Sequence, residues 1–196
     1  MEIAVLALQG SFIEHRQKLK KLGVDTFEIR QLKDIDRHFD GLILPGGEST
    51  TQGKLLRELG LFEPLKEKIL NGLPVFGTCA GLILLAENLE NDNKVKCHFG
   101  TMPATVARNA YGRQLGSFST KGTFGETKNV EMTFIRAPYV PMWSPDVQVL
   151  AKINERVVAV RYKNQLGIAF HPELTNDKVV YEYFLDMIEY DKNNRL

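Results

Sequence analysis

The first half of the chain alternates short apolar runs with amphipathic stretches. The apolar runs predict strands that are buried on both faces, because such strands carry hydrophobic residues at consecutive positions. The amphipathic stretches predict helices, and the first of them ends at Gly23. Strands separated by helices indicate right-handed crossovers and a mostly parallel sheet covered on both faces. The predicted strands are residues 3–8, 24–29, 41–44 and 75–77, and the predicted helices are residues 14–22, 54–59, 64–71 and 80–87.

The second half follows a different pattern, in which strand-like runs succeed one another through short polar connectors. Such runs indicate hairpins and antiparallel additions to the sheet. Apolar residues at the helical period between Val179 and Ile188 predict a last helix, with Thr175 or Asn176 as its N-cap. No linker or internal repeat divides the chain, so residues 1–196 are predicted to form one three-layer α/β domain. The predicted strands are residues 104–107, 130–135, 147–153, 157–162 and 166–170.

Composition and charge exclude several classes of protein. Hydrophobic residues make up 43% and charged residues 25% of the chain, which is typical of a globular domain. The formal charge of +1 gives no reason to expect nucleic acid or an anionic membrane as a partner. No apolar run approaches the roughly eighteen residues that would span a bilayer. The N-terminal apolar run lacks a preceding basic region and predicts a core strand instead of a signal peptide.

The two cysteines, Cys79 and Cys97, occur in unrelated contexts and without metal-ligand spacing. A secreted scaffold stapled by disulfides is therefore not expected, and the sequence predicts a location in the reducing cytoplasm. Clusters of His, Cys, Asp and Glu with the spacing of a metal site are also lacking, so no metal is predicted.

The segment Gly77-Thr78-Cys79-Ala80-Gly81 joins a predicted strand to a predicted helix. A nucleophile between two glycines at such a turn is typical of a nucleophile elbow, where the strained backbone tolerates only small neighbours. The helix start favours a thiolate at Cys79, and the backbone N–H of Ala80 is left free to donate to an oxyanion. The alternative is a buried structural cysteine at a tight turn. Cys97 and His98 lie in no such turn, and this pair is not expected to be catalytic.

A cysteine nucleophile requires a base, and His171 has the most suitable context of the four histidines. It follows a predicted strand, at the edge where α/β sheets present functional residues. Pro172 favours an extended backbone at His171, so that Glu173 projects to the same side and can orient the imidazole. The alternative is a histidine in a turn beside a solvated glutamate. His15 and His38 lie in charged, helix-like surroundings and are predicted to be exposed or at an interface.

Together, the elbow and His171-Pro172-Glu173 resemble the class I (triad) glutamine amidotransferase family, whose fold is a flavodoxin-like three-layer domain. More narrowly, the chain is similar to the family of glutaminase subunits of two-component pyridoxal 5′-phosphate synthases. The matching blocks follow in order over nearly the whole chain, and residues 88–98 and 118–129 carry no family signature. The further blocks are Ala7-Leu8-Gln9-Gly10 with Glu14-His15, Leu44-Pro45-Gly46-Gly47-Glu48-Ser49-Thr50, residues 108–114, Phe134-Ile135-Arg136-Ala137-Pro138 and residues 170–175.

The resemblance implies a role for each matched residue. Cys79 would be the nucleophile, His171 the base and Glu173 the orienting carboxylate. The Pro-Gly-Gly-Glu-Ser loop of the family holds glutamine and supplies an oxyanion-hole amide, which here implies Gly47 as the partner of Ala80. Without the resemblance, this loop would be a plain turn and each arginine a surface ion pair. The glutamine contacts that the resemblance implies are Gly47, Glu48, Ser49, Arg108, Ile135 and Arg136.

The implied reaction is attack of the Cys79 thiolate on the side-chain amide of L-glutamine, release of ammonia and hydrolysis of a thioester. The implied partner is the pyridoxal 5′-phosphate synthase (lyase) subunit, in an assembly of twelve synthase and twelve glutaminase subunits. Pyridoxal 5′-phosphate is then a product of the complex, and no cofactor of this chain is implied. Two alternatives remain, a glutaminase that serves another acceptor enzyme and a non-catalytic module on the same fold. The blocks at 108–114 and 134–138 argue against the first, and the complete triad argues against the second.

Overall fold

The computed structural model describes residues 1–90, 98–108 and 117–194. In the first half, strands and helices alternate as predicted. The main differences lie in α2, which begins five residues before the predicted helix, and in α4, which ends two residues early, where the next strand starts. The elements are β1 (Glu2–Leu6), α1 (Phe12–Lys21), β2 (Asp25–Ile29), a 3₁₀ helix (Leu32–Asp36), β3 (Gly41–Leu44), α2 (Ser49–Glu58), α3 (Phe62–Leu70), β4 (Val75–Thr78) and α4 (Ala80–Leu85).

The second half is formed mostly by strands, and three of them were not predicted. β5 continues directly from the apolar helix α4, so the hydrophobic pattern gave no boundary. β7 has an alternating but largely exposed sequence, and β9 contains a proline. The elements are β5 (Ala86–Leu89), β6 (Met102–Ala107), β7 (Ser117–Phe124), β8 (Thr127–Ile135), β9 (Tyr139–Trp143), β10 (Gln148–Ile153), β11 (Arg156–Tyr162), β12 (Gln165–Ile168), a 3₁₀ helix (Pro172–Leu174) and α5 (Val179–Asn194).

One large sheet runs through both halves, in the order β2-β1-β3-β4-β12-β11-β9-β6-β5. In this order, the first five strands, β2, β1, β3, β4 and β12, are parallel to one another. β11 is antiparallel to β12, and β9 is antiparallel to both β11 and β6. β10 pairs with β11, and β7 and β8 form a separate antiparallel hairpin. The predicted fold class, a mostly parallel α/β sheet with antiparallel additions, is therefore confirmed.

Helices cover both faces of the parallel strands. On one face, Phe76 of β4 contacts His15 of α1 and Phe184 of α5. The next residue, Gly77, faces the other way and lies against Gly81 of α4. Because α2 packs on α4, the helices form one layer on each side of the sheet. This arrangement leaves the carboxyl ends of β3, β4 and β12 at one open edge.

The start of α5 differs from the prediction. The N–H of Val179 donates to the carboxylate of Asp177 over 2.8 Å. The Thr175 hydroxyl instead accepts from the N–H of Asp177, so the prediction of Thr175 or Asn176 as the N-cap is wrong. Among the described residues, none of the helices has the length and apolar character needed to cross a membrane.

Candidate active site

Cys79 lies in a sharp turn between β4 and α4. Its backbone has φ 48° and ψ −98°, a conformation that non-glycine residues adopt only where the surrounding structure imposes it. A Cβ atom on Gly77 would lie 2.6 Å from the carbonyl carbon of Gly81, and one on Gly81 would collide with the carbonyl oxygen of Leu44. Both positions therefore require glycine, as in a nucleophile elbow.

His171 reaches the same edge of the sheet from the neighbouring strand. In the pairing of β12 with β4, Ile168 lies opposite Thr78, so the two strands end side by side. The Cys79 and His171 side chains are hydrogen-bonded to each other. Both residues are nearly buried, with exposed fractions of 8% and 7%. Strand pairing thus brings together a thiol and an imidazole that are far apart in the sequence.

Glu173 contacts the imidazole from the other side. Its Oε1 atom lies 2.7 Å from Nδ1 of His171. The two side chains meet as expected, but the backbone differs from the prediction, because Pro172–Leu174 forms a 3₁₀ helix and not an extended segment. This turn folds the carboxylate back onto the ring. Cys79, His171 and Glu173 therefore form one continuous chain of hydrogen bonds, which is the geometry that a catalytic triad requires.

The pKa values of His171 and Glu173 are strongly shifted. Burial alone would raise the pKa of Glu173, but the nearby His15 and the hydrogen bonds from His171 and Ser11 lower it to about 2. Burial alone would lower the pKa of His171, but hydrogen bonds to Cys79 and Glu173 and their negative charges raise it to about 10. At neutral pH, the imidazolium form of His171 and the ionised form of Glu173 are therefore favoured.

Ser11 and His15 lie behind the carboxylate of Glu173. The Ser11 hydroxyl donates to Oε1 over 2.8 Å, and His15 Nε2 lies 3.6 Å from Oε2. The prediction that His15 is exposed or at an interface is therefore wrong, since it is fully buried. Its helical spacing from Leu19, also buried on α1, was the signal that could have revealed this. The prediction is confirmed for His38, whose side chain is 87% exposed.

The glycine loop after β3 lies beside the triad. A Cβ atom on Gly46 would lie 2.6 Å from Cε1 of His171. The Gly46 carbonyl accepts a hydrogen bond from the Ser11 N–H over 3.0 Å, and the Glu48 N–H donates to the Gln9 side chain over 2.8 Å. Two residues of the segment between β1 and α1 therefore hold the loop in place against the imidazole.

Glu48 also caps α2. Its carboxylate accepts hydrogen bonds from the backbone N–H and hydroxyl groups of Thr50 and Thr51. Burial opposes ionisation, but these hydrogen bonds outweigh it and lower the pKa of Glu48 to about 2. The carboxylate of Glu48 thus fixes the first turn of α2 at the rim of the site. The N-terminus of a helix is the end that favours an anion.

A cavity of about 330 Å³ opens in front of Cys79 and His171. Its size is that of a pocket for a small metabolite, and all the glutamine contacts implied by the sequence lie in its wall. Gln9 and Ile83 also line it, and neither was predicted from the sequence to contact glutamine. Ala80 follows Cys79 in the chain, and Glu173 lies behind His171. The lining residues are Gln9, Gly47, Glu48, Ser49, Cys79, Ile83, Arg108, Ile135, Arg136 and His171.

The two arginines approach the cavity from different strands. Arg108 follows β6 and is partly buried, and Arg136 follows β8 with a backbone φ of 44°. Such a conformation at a non-glycine residue is uncommon and occurs in turns and at functional sites. Residues 109–114, the rest of the matched block that begins at Arg108, lie outside the described residues, as does Cys97. Within the described parts of the chain, no group of three or more His, Cys, Asp or Glu residues could hold a metal ion.

Comparison with known proteins relates this site to a family of enzymes. The SNO glutamine amidotransferase family matches residues 5–190. The chain is 58% identical to the pyridoxal 5′-phosphate synthase subunit PdxT of Desulfitobacterium hafniense, over 98% of this chain and 96% of the relative. It is 56% identical to PdxT of Methanocorpusculum labreanum, over 96% and 98% of the two chains.

Solved structures give the same result for the fold. A crystal structure of a glutamine amidotransferase superposes with a TM-score of 0.90 and 40% identity, covering 95% of this chain and 98% of the other. The structure of a putative GMP synthase component from Thermoplasma acidophilum superposes with a TM-score of 0.68 over 100% and 97% of the two chains. Its identity of 19% means that this second likeness bears on the fold alone.

Proposed function

This chain belongs to the SNO glutamine amidotransferase family, and we propose that it is the glutaminase subunit of a pyridoxal 5′-phosphate synthase. It hydrolyses L-glutamine to L-glutamate and ammonia and passes the ammonia to the synthase subunit for vitamin B6 biosynthesis. The observation that carries the proposal is the hydrogen-bonded series Cys79–His171–Glu173, which opens into a cavity lined by the expected glutamine contacts.

The first half of the reaction forms a thioester. The Cys79 thiolate attacks the side-chain amide carbon of glutamine, and the electron pair of the carbonyl moves onto its oxygen. The backbone N–H groups of Ala80 and Gly47 donate to this oxyanion. When the carbonyl re-forms, the carbon–nitrogen bond breaks and the His171 imidazolium gives its proton to the leaving nitrogen, which departs as ammonia.

The second half regenerates the thiolate. Neutral His171 takes a proton from a water molecule as the water oxygen attacks the thioester carbon. Collapse of this second oxyanion expels the Cys79 sulfur as a thiolate and leaves the γ-carboxylic acid, which loses its proton to solvent and becomes glutamate, and His171 is again protonated. Glu173 stays ionised throughout, because its pKa of about 2 lies far below neutral pH. Its role is to hold the imidazole in place and to stabilise the positive charge.

The cavity wall supplies groups that match the ends of glutamine. The α-carboxylate of glutamine requires a cation, and Arg108 and Arg136 are the candidates in the wall. Its α-ammonium requires an anion or a carbonyl, and Glu48 lies at the rim with its charge fixed by the helix cap. Ser49 and Ile135 complete the wall around the aliphatic chain.

The assembly and setting of the protein belong to the same proposal. We propose that residues 1–196 form a single glutaminase domain, because one sheet contains strands from both halves of the chain. The partner is the synthase (lyase) subunit, in a complex of twelve copies of each subunit located in the cytoplasm. Pyridoxal 5′-phosphate is a product of that complex and not a cofactor of this chain.

The proposal is tested by measuring glutamate release from glutamine with the chain alone and with a pyridoxal 5′-phosphate synthase subunit. We expect weak hydrolysis alone and strong stimulation by the partner, since uncoupled hydrolysis would waste glutamine. Pyridoxal 5′-phosphate formation with glutamine as the nitrogen source is the second readout. A chain that hydrolyses no glutamine in either condition would overturn the proposal. Stimulation by a different glutamine-dependent synthase instead would assign it to another acceptor enzyme.

Gly47→Ala is expected to lower kcat of the activated complex by on the order of a hundred- to a thousandfold, the cost of losing one oxyanion donor. A Cβ atom at this position would collide with the Gln9 side chain and lie 3.1 Å from Nε2 of Gln52, so the loop must move. The matched control is Gly23→Ala, where the backbone φ is 76° but nothing lies within 4 Å of the added atom. A Gly47→Ala complex with the wild-type rate would show that this loop supplies no oxyanion donor.

A further inference from the structure

A second histidine, His15, lies directly behind the catalytic carboxylate. Its side chain is fully buried between α1, β4 and α5. Its Nε2 atom lies 3.0 Å from the Thr78 hydroxyl oxygen and 3.6 Å from Oε2 of Glu173. Its Nδ1 atom lies 2.7 Å from the Tyr181 hydroxyl oxygen. One ring thus joins the carboxylate, the residue before the nucleophile and the C-terminal helix.

The neighbours of His15 select one protonation state of the ring. Burial lowers the pKa of His15, which favours the neutral imidazole. Burial and the charge of Glu173 raise the pKa of Tyr181 well above its ordinary value, so the Tyr181 hydroxyl keeps its proton and is able to donate it to Nδ1. Nε2 faces the ionised carboxylate of Glu173, which would repel a lone pair on that atom, so the neutral ring is favoured with its hydrogen on Nε2 and with Nδ1 as the acceptor from Tyr181.

His15 faces Oε2 of Glu173, the carboxylate oxygen that lacks a hydrogen-bond donor within the described part of the chain. Oε1 of Glu173 accepts hydrogen bonds from Ser11 and His171. Oε2 is buried and has no hydrogen-bond partner among the described residues. A buried carboxylate oxygen without compensation is costly. The Nε2–H group of His15 directs the positive end of its dipole towards this oxygen at 3.6 Å.

We propose that His15 is a positioning residue for glutamine hydrolysis. Its ring, fixed in the Nε2–H form by Tyr181, keeps Glu173 ionised and turned towards His171. Through Thr78 it also ties the carboxylate to the strand end that carries Cys79. His15 touches neither the cavity nor the reacting atoms and acts only through Glu173. This role rests on the proposed function, and the contrasting role is simple packing against Phe76, whose ring centroid lies 6.0 Å away.

The test compares three site variants with one matched control in the complex with the synthase subunit. His15→Leu removes the donor but still fills the buried space with an apolar side chain. His15→Gln can instead place an amide N–H near the position of Nε2. Tyr181→Phe removes only the hydroxyl that fixes the ring. The control is Tyr183→Phe on the same helix, because the Tyr183 hydroxyl bonds to Arg161 and not to the site.

Two quantities are measured for each variant, together with its melting temperature. The first is the pair of constants kcat and KM for glutamine. The second is the rate of alkylation of Cys79 by iodoacetamide as a function of pH, in a Cys97→Ser background so that one thiol is followed. Alkylation reports the thiolate beside the His171 imidazolium without requiring glutamine. The charged or titratable groups that face His15 are Glu173, His171, Glu14 and Tyr181.

We expect His15→Leu to lower kcat roughly ten- to a hundredfold, as for loss of a hydrogen-bonding group at a buried charge, with KM nearly unchanged. Alkylation at neutral pH should slow, and its pH profile should shift, because a less well held Glu173 stabilises the imidazolium less. His15→Gln should restore most of the rate, Tyr181→Phe should have a smaller effect than His15→Leu, and Tyr183→Phe should behave as wild type.

Folded His15→Leu protein with wild-type kcat and alkylation profile would overturn the inference. A loss of melting temperature with an unchanged alkylation profile would do the same, since it would leave packing as the only role. Failure of the proposed function has a different signature, because the wild-type complex itself would then hydrolyse no glutamine.

Discussion

Replacing Cys79 with alanine is expected to lower kcat of glutamine hydrolysis in the complex by on the order of 10⁵- to 10⁶-fold, as for loss of the nucleophile of a triad. The thiolate forms the covalent bond to the substrate, and no other described cysteine lies in the cavity. The change removes a single sulfur atom from a tightly packed turn, so the fold and the cavity should persist. Initial rates of glutamate release measure the effect.

The covalent intermediate provides an independent readout of the same variant. Rapid acid quenching followed by intact-protein mass spectrometry should detect a γ-glutamyl adduct on the wild-type chain and none on Cys79→Ala. Cys97→Ala is the control and should retain both the rate and the adduct. A Cys79→Ala protein that still hydrolyses glutamine at a rate near that of the wild type would refute the assignment of the nucleophile.

The nucleophile could be predicted from the sequence because its signal is local. Gly77 and Gly81 lie within the same five consecutive residues as Cys79, so the pattern is visible locally, although Gly81 packs against Leu44 of the adjacent strand. The parallel sheet was predictable for a related reason, since buried parallel strands carry continuous apolar runs. The position of His171 then followed from the rule that parallel strands end at the same edge.

The surroundings of the triad could not be predicted because they depend on packing between distant segments. His15, Thr78 and Tyr181 come from α1, β4 and α5, and no short pattern relates them. Charged neighbours on α1 suggested an exposed helix, although the spacing of His15 from Leu19 matches one buried face. Similarly, the polar alternation of β7 was too weak a signal, and its pairing with β8 became visible only in the structure.

His171 and Glu173 should differ sharply in their contribution to catalysis. His171→Asn removes the group that transfers the proton in both halves of the reaction, and kcat should fall on the order of 10⁶-fold. Glu173→Gln keeps the shape and the possible bond with Ser11 but loses the charge, and the expected fall is on the order of 10⁴-fold. Initial rates in the complex rank the two variants. The control is His38→Asn, an exposed histidine that lies outside the cavity.

The titration of His171 tests why Glu173 matters. In the wild type, the carboxylate is one of the groups that raise the pKa of His171 to about 10. Because the pKa of Glu173 is about 2, its charge is present at any pH near neutrality, and Glu173→Gln removes it over that whole range. The pKa of His171 should then fall, which NMR of the His171 Cε1 proton measures directly. An unchanged pKa, or a slower Glu173→Gln than His171→Asn, would mean that the carboxylate has a role other than orienting and stabilising the imidazolium.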